Sequence, residues 1–271
     1  MKKKDLNSMN DQKIFPKKSL GQNFLTDKNI LRKIIKVAEI KANENILEVG
    51  PGRGVLTFEL VLLAKKVVAI EKDKMLFAEL QNKQTEFSNL IIQNQDILRI
   101  DFAELRKEFK NKPYKIVANL PYNITSRFLR TFLQSDYCPS EMILMVQREV
   151  GERIAEKEPG EFSVLSNAVQ FYCRPRVLFR VSANCFFPRP RVESVVIRLS
   201  EIGKNMPDCE AEKFFLLLRA GFSAKRKQLK NNLMKINKID WGAVLVEAGL
   251  RGDIRAEELT VADWVKLCKF I

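Results

Sequence analysis

Histidine does not occur anywhere in the 271 residues. Its absence excludes Ser-His-Asp triads, His-activated cysteines, His-ligated zinc and imidazole general bases. Cysteine is sparse: the five stand at 138, 173, 185, 209 and 268, an odd number with no Cys-x-x-Cys pair. That spacing argues against a zinc knuckle or a disulfide framework, so no metal is expected and the thiols read as idle groups in a reducing, cytoplasmic compartment. Long apolar runs are missing too. None reaches membrane-spanning length, and the basic start from Met1 to Asp5 is not followed by the apolar stretch of a secretory signal. A soluble monomer with no membrane partner is expected. Acidic residues are outnumbered, 33 against 47 Lys plus Arg, which leaves a net charge of +14 and points to an acidic partner, most often nucleic acid.

Apolar residues make up 46% of the chain, enough for a sizeable core, and the length suits one large domain plus a smaller one. From about residue 27 to 120, short apolar runs alternate with amphipathic stretches, the pattern of strand and helix units around a parallel sheet. Strands are predicted at Asn45 to Val49, Lys66 to Glu71, Leu90 to Asn94, Lys115 to Asn119, Met142 to Val146, Arg176 to Val181 and Val192 to Leu199, seven in all. Helices are predicted over Val55 to Ala64, Asp73 to Lys83, Asp101 to Lys110 and from Thr125 to Leu133. Past a polar linker at Ser200 to Asp208 the chain reads helical, over Glu210 to Phe222, Ala224 to Lys235, Asp240 to Ala248 and Val261 to Ile271. Three parts follow: a basic arm at 1–18, an α/β domain at 19–200 and a helical domain at 208–271.

The run Glu48-Val49-Gly50-Pro51-Gly52-Arg53-Gly54 closes a strand and opens a helix, where glycines let a ligand approach the backbone. A dinucleotide fingerprint needs its third glycine at 55, which is Val55, and the Walker Lys-Ser/Thr ending is missing. Alternating glycines after an acidic residue suit a cofactor whose amino-acid part lies over the turn, as in S-adenosylmethionine. Glu71, at the end of the next strand, is placed to accept both ribose hydroxyls, and Asp96, after the third, to accept from an adenine amine. Helix capping is the alternative reading of either acid alone.

Asn119-Leu120-Pro121-Tyr122 falls where the fourth strand ends, over the carboxyl edge of the sheet. An adenine amine is a poor nucleophile because its lone pair is delocalised into the ring. The Asn119 amide oxygen and the Leu120 carbonyl can each accept one amine hydrogen, turning the lone pair toward a methyl donor. Pro121 fixes the bend and Tyr122 can stack on a flipped base. Phe186-Phe187-Pro188 is the candidate for closing the pocket from the other face.

In this order the residues resemble the ribosomal RNA adenine N6,N6-dimethyltransferase family, in particular its bacterial small-subunit members. The match runs from Pro16 onward through Lys18 to Leu25, Glu48 to Gly54, Glu71, Asp96, Asn119 to Ile124, Met145 to Val150, Gly221 to Lys227 and Arg255 to Glu257. The resemblance implies a Rossmann-like α/β fold, a seven-stranded S-adenosylmethionine-dependent methyltransferase sheet with a small C-terminal all-helical domain. It implies a cofactor site of Asn23, Leu25, Gly50, Gly52, Glu71, Asp96 and Asn119, and makes Phe186 rather than Phe187 the stacking aromatic. The substrate implied is two adjacent adenines in a hairpin near the 3′ end of small-subunit (16S) rRNA within an immature 30S subunit, each receiving two methyls. One departure stands in the loop Phe187-Pro188-Arg189-Pro190-Arg191, where the family usually has three prolines and a lysine.

Lys225, Arg226, Lys227 and Lys230 cluster on one predicted helix and are the candidates for RNA phosphate contact, against a merely solvated face. Besides a DNA adenine methyltransferase, disfavoured because no segment resembles a sequence-reading element, two other functions remain open to the sequence. One is a large-subunit (23S) rRNA methyltransferase of the antibiotic-resistance type. The other is a ribosome-assembly RNA-binding factor with a vestigial methyltransferase domain, against which the intact Glu71, Asp96 and Asn119 count.

Overall fold

The computed structural model describes residues 16–17, 20–204, 207–224 and 226–271. The expected basic arm, apart from Pro16 and Lys17, lies outside the described residues, as does Lys225.

After a two-residue strand β1 (Phe24–Leu25), Asp27 caps α1 (Lys28–Ala38), its Oδ1 accepting from the Asn29 and Ile30 N–H groups. The chain then winds β2 (Asn45–Val49), α2 (Thr57–Val61), β3 (Lys66–Glu71), α3 (Lys74–Gln84), β4 (Leu90–Asn94), α4 (Phe102–Glu108), β5 (Tyr114–Asn119), α5 (Thr125–Leu133) and β6 (Glu141–Gln147). Helices α6 (Arg148–Ile154) and α7 (Val164–Tyr172) lead to β7 (Arg174–Val181), the two-residue β8 (Phe186–Phe187) and β9 (Ser194–Ser200). The seven long strands form one sheet in the order β4-β3-β2-β5-β6-β9-β7. Six run parallel to one another in direction, and β9 runs against both of its neighbours. The sheet is therefore mixed rather than wholly parallel. An antiparallel strand needs no crossover helix, so β9 can follow β7 through a loop and β8 alone.

Successive residues of the central strands feed opposite faces. Leu47, Val49, Val68 and Ile70 join one apolar layer with Phe128 and Phe132, while Ile46, Val67 and Ala69 join the other with Leu31, Ile34 and Leu60. Burial on both faces is why these strands read as continuous apolar runs.

Beyond Ser200 the chain forms α8 (Ala211–Gly221), α9 (Leu229–Leu233), α10 (Trp241–Glu247) and α11 (Val261–Leu267) around Phe214, Trp241 and Trp264. Phe171 of α7 packs inside this layer, its ring 4.2 Å from that of Phe214. Helix α9 is shorter than its apolar spacing predicts. The buried Asn232 amide donates to the Gly221 and Ala224 carbonyls and holds the preceding segment as a turn, with Gln228 extended. Arg226 and Lys227 consequently lie on that turn and only Lys230 on the helix, which corrects the expectation of a single helical cluster. Among the described residues no helix is long and apolar enough to cross a membrane.

Candidate active site

The strand order reverses between β2 and β5, and in open α/β sheets the crevice outside the carboxyl ends at such a point is where ligands bind. The glycine turn leaves β2 there. Gly50, Gly52 and Gly54 have φ of 65°, 59° and 79°, a left-handed region that side chains disfavour. A Cβ on Gly52 would stand 3.1 Å from the Phe24 ring, and one on Gly54 would stand 2.6 Å from both Leu80 and Phe58.

Glu71 connects this turn to the head of α3. Its Oε2 accepts from the Gly52 N–H at 3.1 Å and its Oε1 from the Asp73 N–H at 2.8 Å. Burial pushes the carboxyl above its ordinary range, with the Asp73 and Gly52 N–H groups pulling the other way. Each oxygen keeps a second lone pair, so the fixed carboxylate can accept two neighbouring hydroxyls, as a ribose presents. Asp96 has one oxygen on the Leu98 N–H and the other on Lys72 Nζ at 2.9 Å. Burial works against its charge, but Lys72 and the Leu98 N–H outweigh it and hold the group below its usual pKa.

Asn119 ends β5 with its amide clamped, Nδ2 donating to the Asn23 carbonyl at 3.1 Å. A carbonyl partner requires the nitrogen at that end, and Oδ1 receives no hydrogen bond from the described residues. The Leu120 N–H donates to the Met145 carbonyl, which anchors the following peptide to β6. Pro121, at φ −56° and ψ 128°, then turns the chain. The Tyr122 hydroxyl shares a 2.7 Å hydrogen bond with Ser194 Oγ, and burial raises its pKa. This bond ties the aromatic ring to the start of β9.

One cleft of about 160 Å³ gathers Asn23, Leu25, Gly50, Gly52, Glu71, Asp96, Asn119, Leu120 and Tyr122. Phe186 is not on its wall: it is 4% exposed and packs in the core, opposite Leu25 in the β1–β8 ribbon. Arg226, Lys227 and Lys230 belong to the helical layer, away from the cleft lining. Among the described residues no group of His, Cys, Asp and Glu could hold a metal ion.

Two features escaped the sequence. Glu48, on the cleft wall at the end of β2, is 1% exposed with its Oε2 unpartnered among the described residues. Burial lifts its carboxyl to about 8, Thr57 opposing and Glu71 adding to the rise. A carboxylate inside an otherwise apolar strand was the available signal. The second is a latch. Asp73 Oδ2 accepts from Lys17 Nζ at 2.9 Å and Gln22 Nε2 at 3.1 Å, which fastens the segment carrying Asn23 and Leu25 beside Glu71.

A family model for ribosomal RNA adenine dimethylase matches residues 15–271. The chain belongs to this family. Among its relatives, a ribosomal RNA small subunit methyltransferase A of Clostridioides difficile is 40% identical over 261 residues, 94% of this chain and 90% of the relative. One from Streptococcus thermophilus is 39% identical over 263 residues, 93% of this chain and 90% of the relative. Of solved structures, a dimethyladenosine transferase from Plasmodium falciparum aligns with a TM-score of 0.76 and 26% identity, covering 90% of this chain and 95% of that one. The 23S rRNA methyltransferase ErmE shares the fold, with a TM-score of 0.72 at 24% identity over 91% of this chain and 98% of its own. By family the chain is a ribosomal RNA adenine dimethylase, and by fold a seven-stranded α/β methyltransferase.

Proposed function

We propose that this dimethylase transfers methyl groups from S-adenosylmethionine to the N6 amines of two adjacent adenines near the 3′ end of 16S rRNA, during assembly of the small ribosomal subunit. The observation that carries the reading is the clamped amide of Asn119, with its nitrogen committed to Asn23 and its oxygen left for another donor. The names of the small-subunit relatives support the choice of rRNA. The acceptor is an immature 30S particle, met in the cytoplasm by a monomer that uses no metal.

The residues divide the work. Glu71 and Asp96 receive the ribose hydroxyls and the adenine amine of the methyl donor, while Gly50 and Gly52 leave room over the turn for its amino-acid part, with Asn23 and Leu25 closing the near side. When bound, S-adenosylmethionine supplies a methyl group on a sulfonium sulfur, an electrophile that needs no further activation. The target amine does need it. Asn119 Oδ1 and the Leu120 carbonyl each accept one N–H, which localises the nitrogen lone pair and aims it, and Tyr122 holds the base plane through its tethered ring. The proton displaced from nitrogen leaves to water, so the missing imidazole costs nothing. Phe186 enters this reading only through the resemblance, since it is buried opposite Leu25 and does not line the cleft. Arg226, Lys227, Lys230 and Lys225 supply phosphate contacts from the helical domain at 208–271, while the domain at 19–200 carries the chemistry.

The test is incubation of the full chain and labelled methyl donor with immature small subunits from cells lacking the modification, followed by mapping of the labelled base. Dimethylated neighbouring adenines near the 3′ end are expected. Label on large-subunit RNA would replace this reading with the resistance-type reaction. Cofactor binding without label on either subunit would replace it with an assembly factor.

A further inference from the structure

Phe187 is the one exposed aromatic side chain among the described residues, at 59%, although the chain contains 18 phenylalanines. Its position follows from the β1–β8 ribbon. Phe24 stands opposite Phe187 and Leu25 opposite Phe186, and residues facing each other across an antiparallel pair project from the same side. One side of the ribbon therefore enters the core with Leu25 and Phe186, and the other carries Phe24 and Phe187.

Phe24 is a wall of the cleft, touches the backbone at Gly52 and has the Arg53 guanidinium over its ring at 5.4 Å. Phe187 thus projects to solvent from the same side of the ribbon as Phe24, which borders the glycine turn. Arg189 and Arg191, both exposed, follow in the same loop. A flat apolar ring beside two cations on a chain of net charge +14 matches a single-stranded polyanion with flat bases better than an apolar protein partner.

We infer that Phe187, on the same side of the ribbon as Phe24, is a shelf on which an unpaired RNA base next to the target adenine stacks while Asn119 holds the target in the cleft. The inference rests on the proposed reaction and deepens it, since it gives the enzyme a grip on the neighbour of the base being modified. Arg189 and Arg191 neutralise the phosphates that flank the stacked base.

The shelf is tested with the full-length enzyme and a hairpin RNA carrying 2-aminopurine beside the target adenine, alongside methylation of immature small subunits. Quenching on binding is expected for wild type and for Phe187→Tyr. Phe187→Ile keeps a good strand former but has no π face. It should lose the quenching and raise KM for subunits by roughly 5- to 100-fold, the range for one lost base–aromatic stack, with cofactor affinity and melting temperature unchanged. If Phe187→Ile matches wild type in quenching and KM, or loses cofactor affinity and melting temperature together, the shelf is refuted. A wild-type enzyme that labels no adenine refutes the assigned reaction instead, and the quenching comparison still decides the shelf.

Discussion

The two ends of the Asn119 amide have different tasks, and only one is visible as a bond. Its nitrogen donates to the Asn23 carbonyl, so Asn119→Ala removes a tie to the N-terminal segment and, on the proposed reaction, the acceptor for the target amine. Methyl transfer should fall by about a hundredfold or more in a single-turnover assay, the usual loss for one positioned polar group, while calorimetry still detects cofactor binding. Glu48 makes a different prediction, through protonation. Its folded pKa of about 8 lies above the ordinary 4.5, so the folded state holds the proton more tightly than the unfolded one. Stability from this group is complete below pH 4.5, declines as pH rises and is gone above about 8. Glu48→Gln should therefore raise the melting temperature at pH 8.5 and make little difference near pH 4.5. Equal shifts at both pH values would contradict a buried protonated carboxyl.

At the scale of elements, the glycine turn and the N-terminal segment close on one another. Gly54→Ala places a methyl at positive φ against Leu80 and Phe58, and should destabilise the fold by about 1–3 kcal/mol in chemical denaturation. The latch at Asp73 is expected to affect binding more than folding. Burial disfavours its charge, but Lys17, the Met75 N–H and Gln22 hold the carboxyl below its ordinary pKa. Asp73→Asn keeps a cap for α3 and gives up the ion pair. It should weaken cofactor affinity several-fold and increase hydrogen exchange at residues 20–25, with only a small change in melting temperature. The sequence pattern marked β2, β3 and β4 to the residue, because β2 and β3 are buried on both faces and each of the three gives way to polar or turn residues. It did not reveal β1 and β8, since two residues show no period, nor the short α9, whose extent depends on one buried side-chain amide.

Across the whole molecule the excess of basic residues is the property a nucleic-acid substrate would read first. If six or more phosphates are engaged, rRNA affinity should fall roughly a thousandfold or more between about 50 and 200 mM salt. On the proposed reading S-adenosylmethionine is held by carboxylates and backbone, and its affinity should change little over that range. A filter-binding titration beside a cofactor titration separates the two. The helical layer is not a detached appendage, because Phe171 of α7 sits inside it. Cavities cut there, as by Phe171→Ala, would loosen both parts together.

The sequence alone determined the fold class, the family and the place of the glycine turn. Those depend on local periods and on motifs whose spacing is covalent. Tertiary structure alone decided which side chains face one another. Pairing β1 with β8 buried Phe186 and exposed Phe187, and the approach of Asn23 to Asn119 chose which end of an amide is free. Those contacts join residues about 100 or more apart in the chain, a separation that no local pattern encodes.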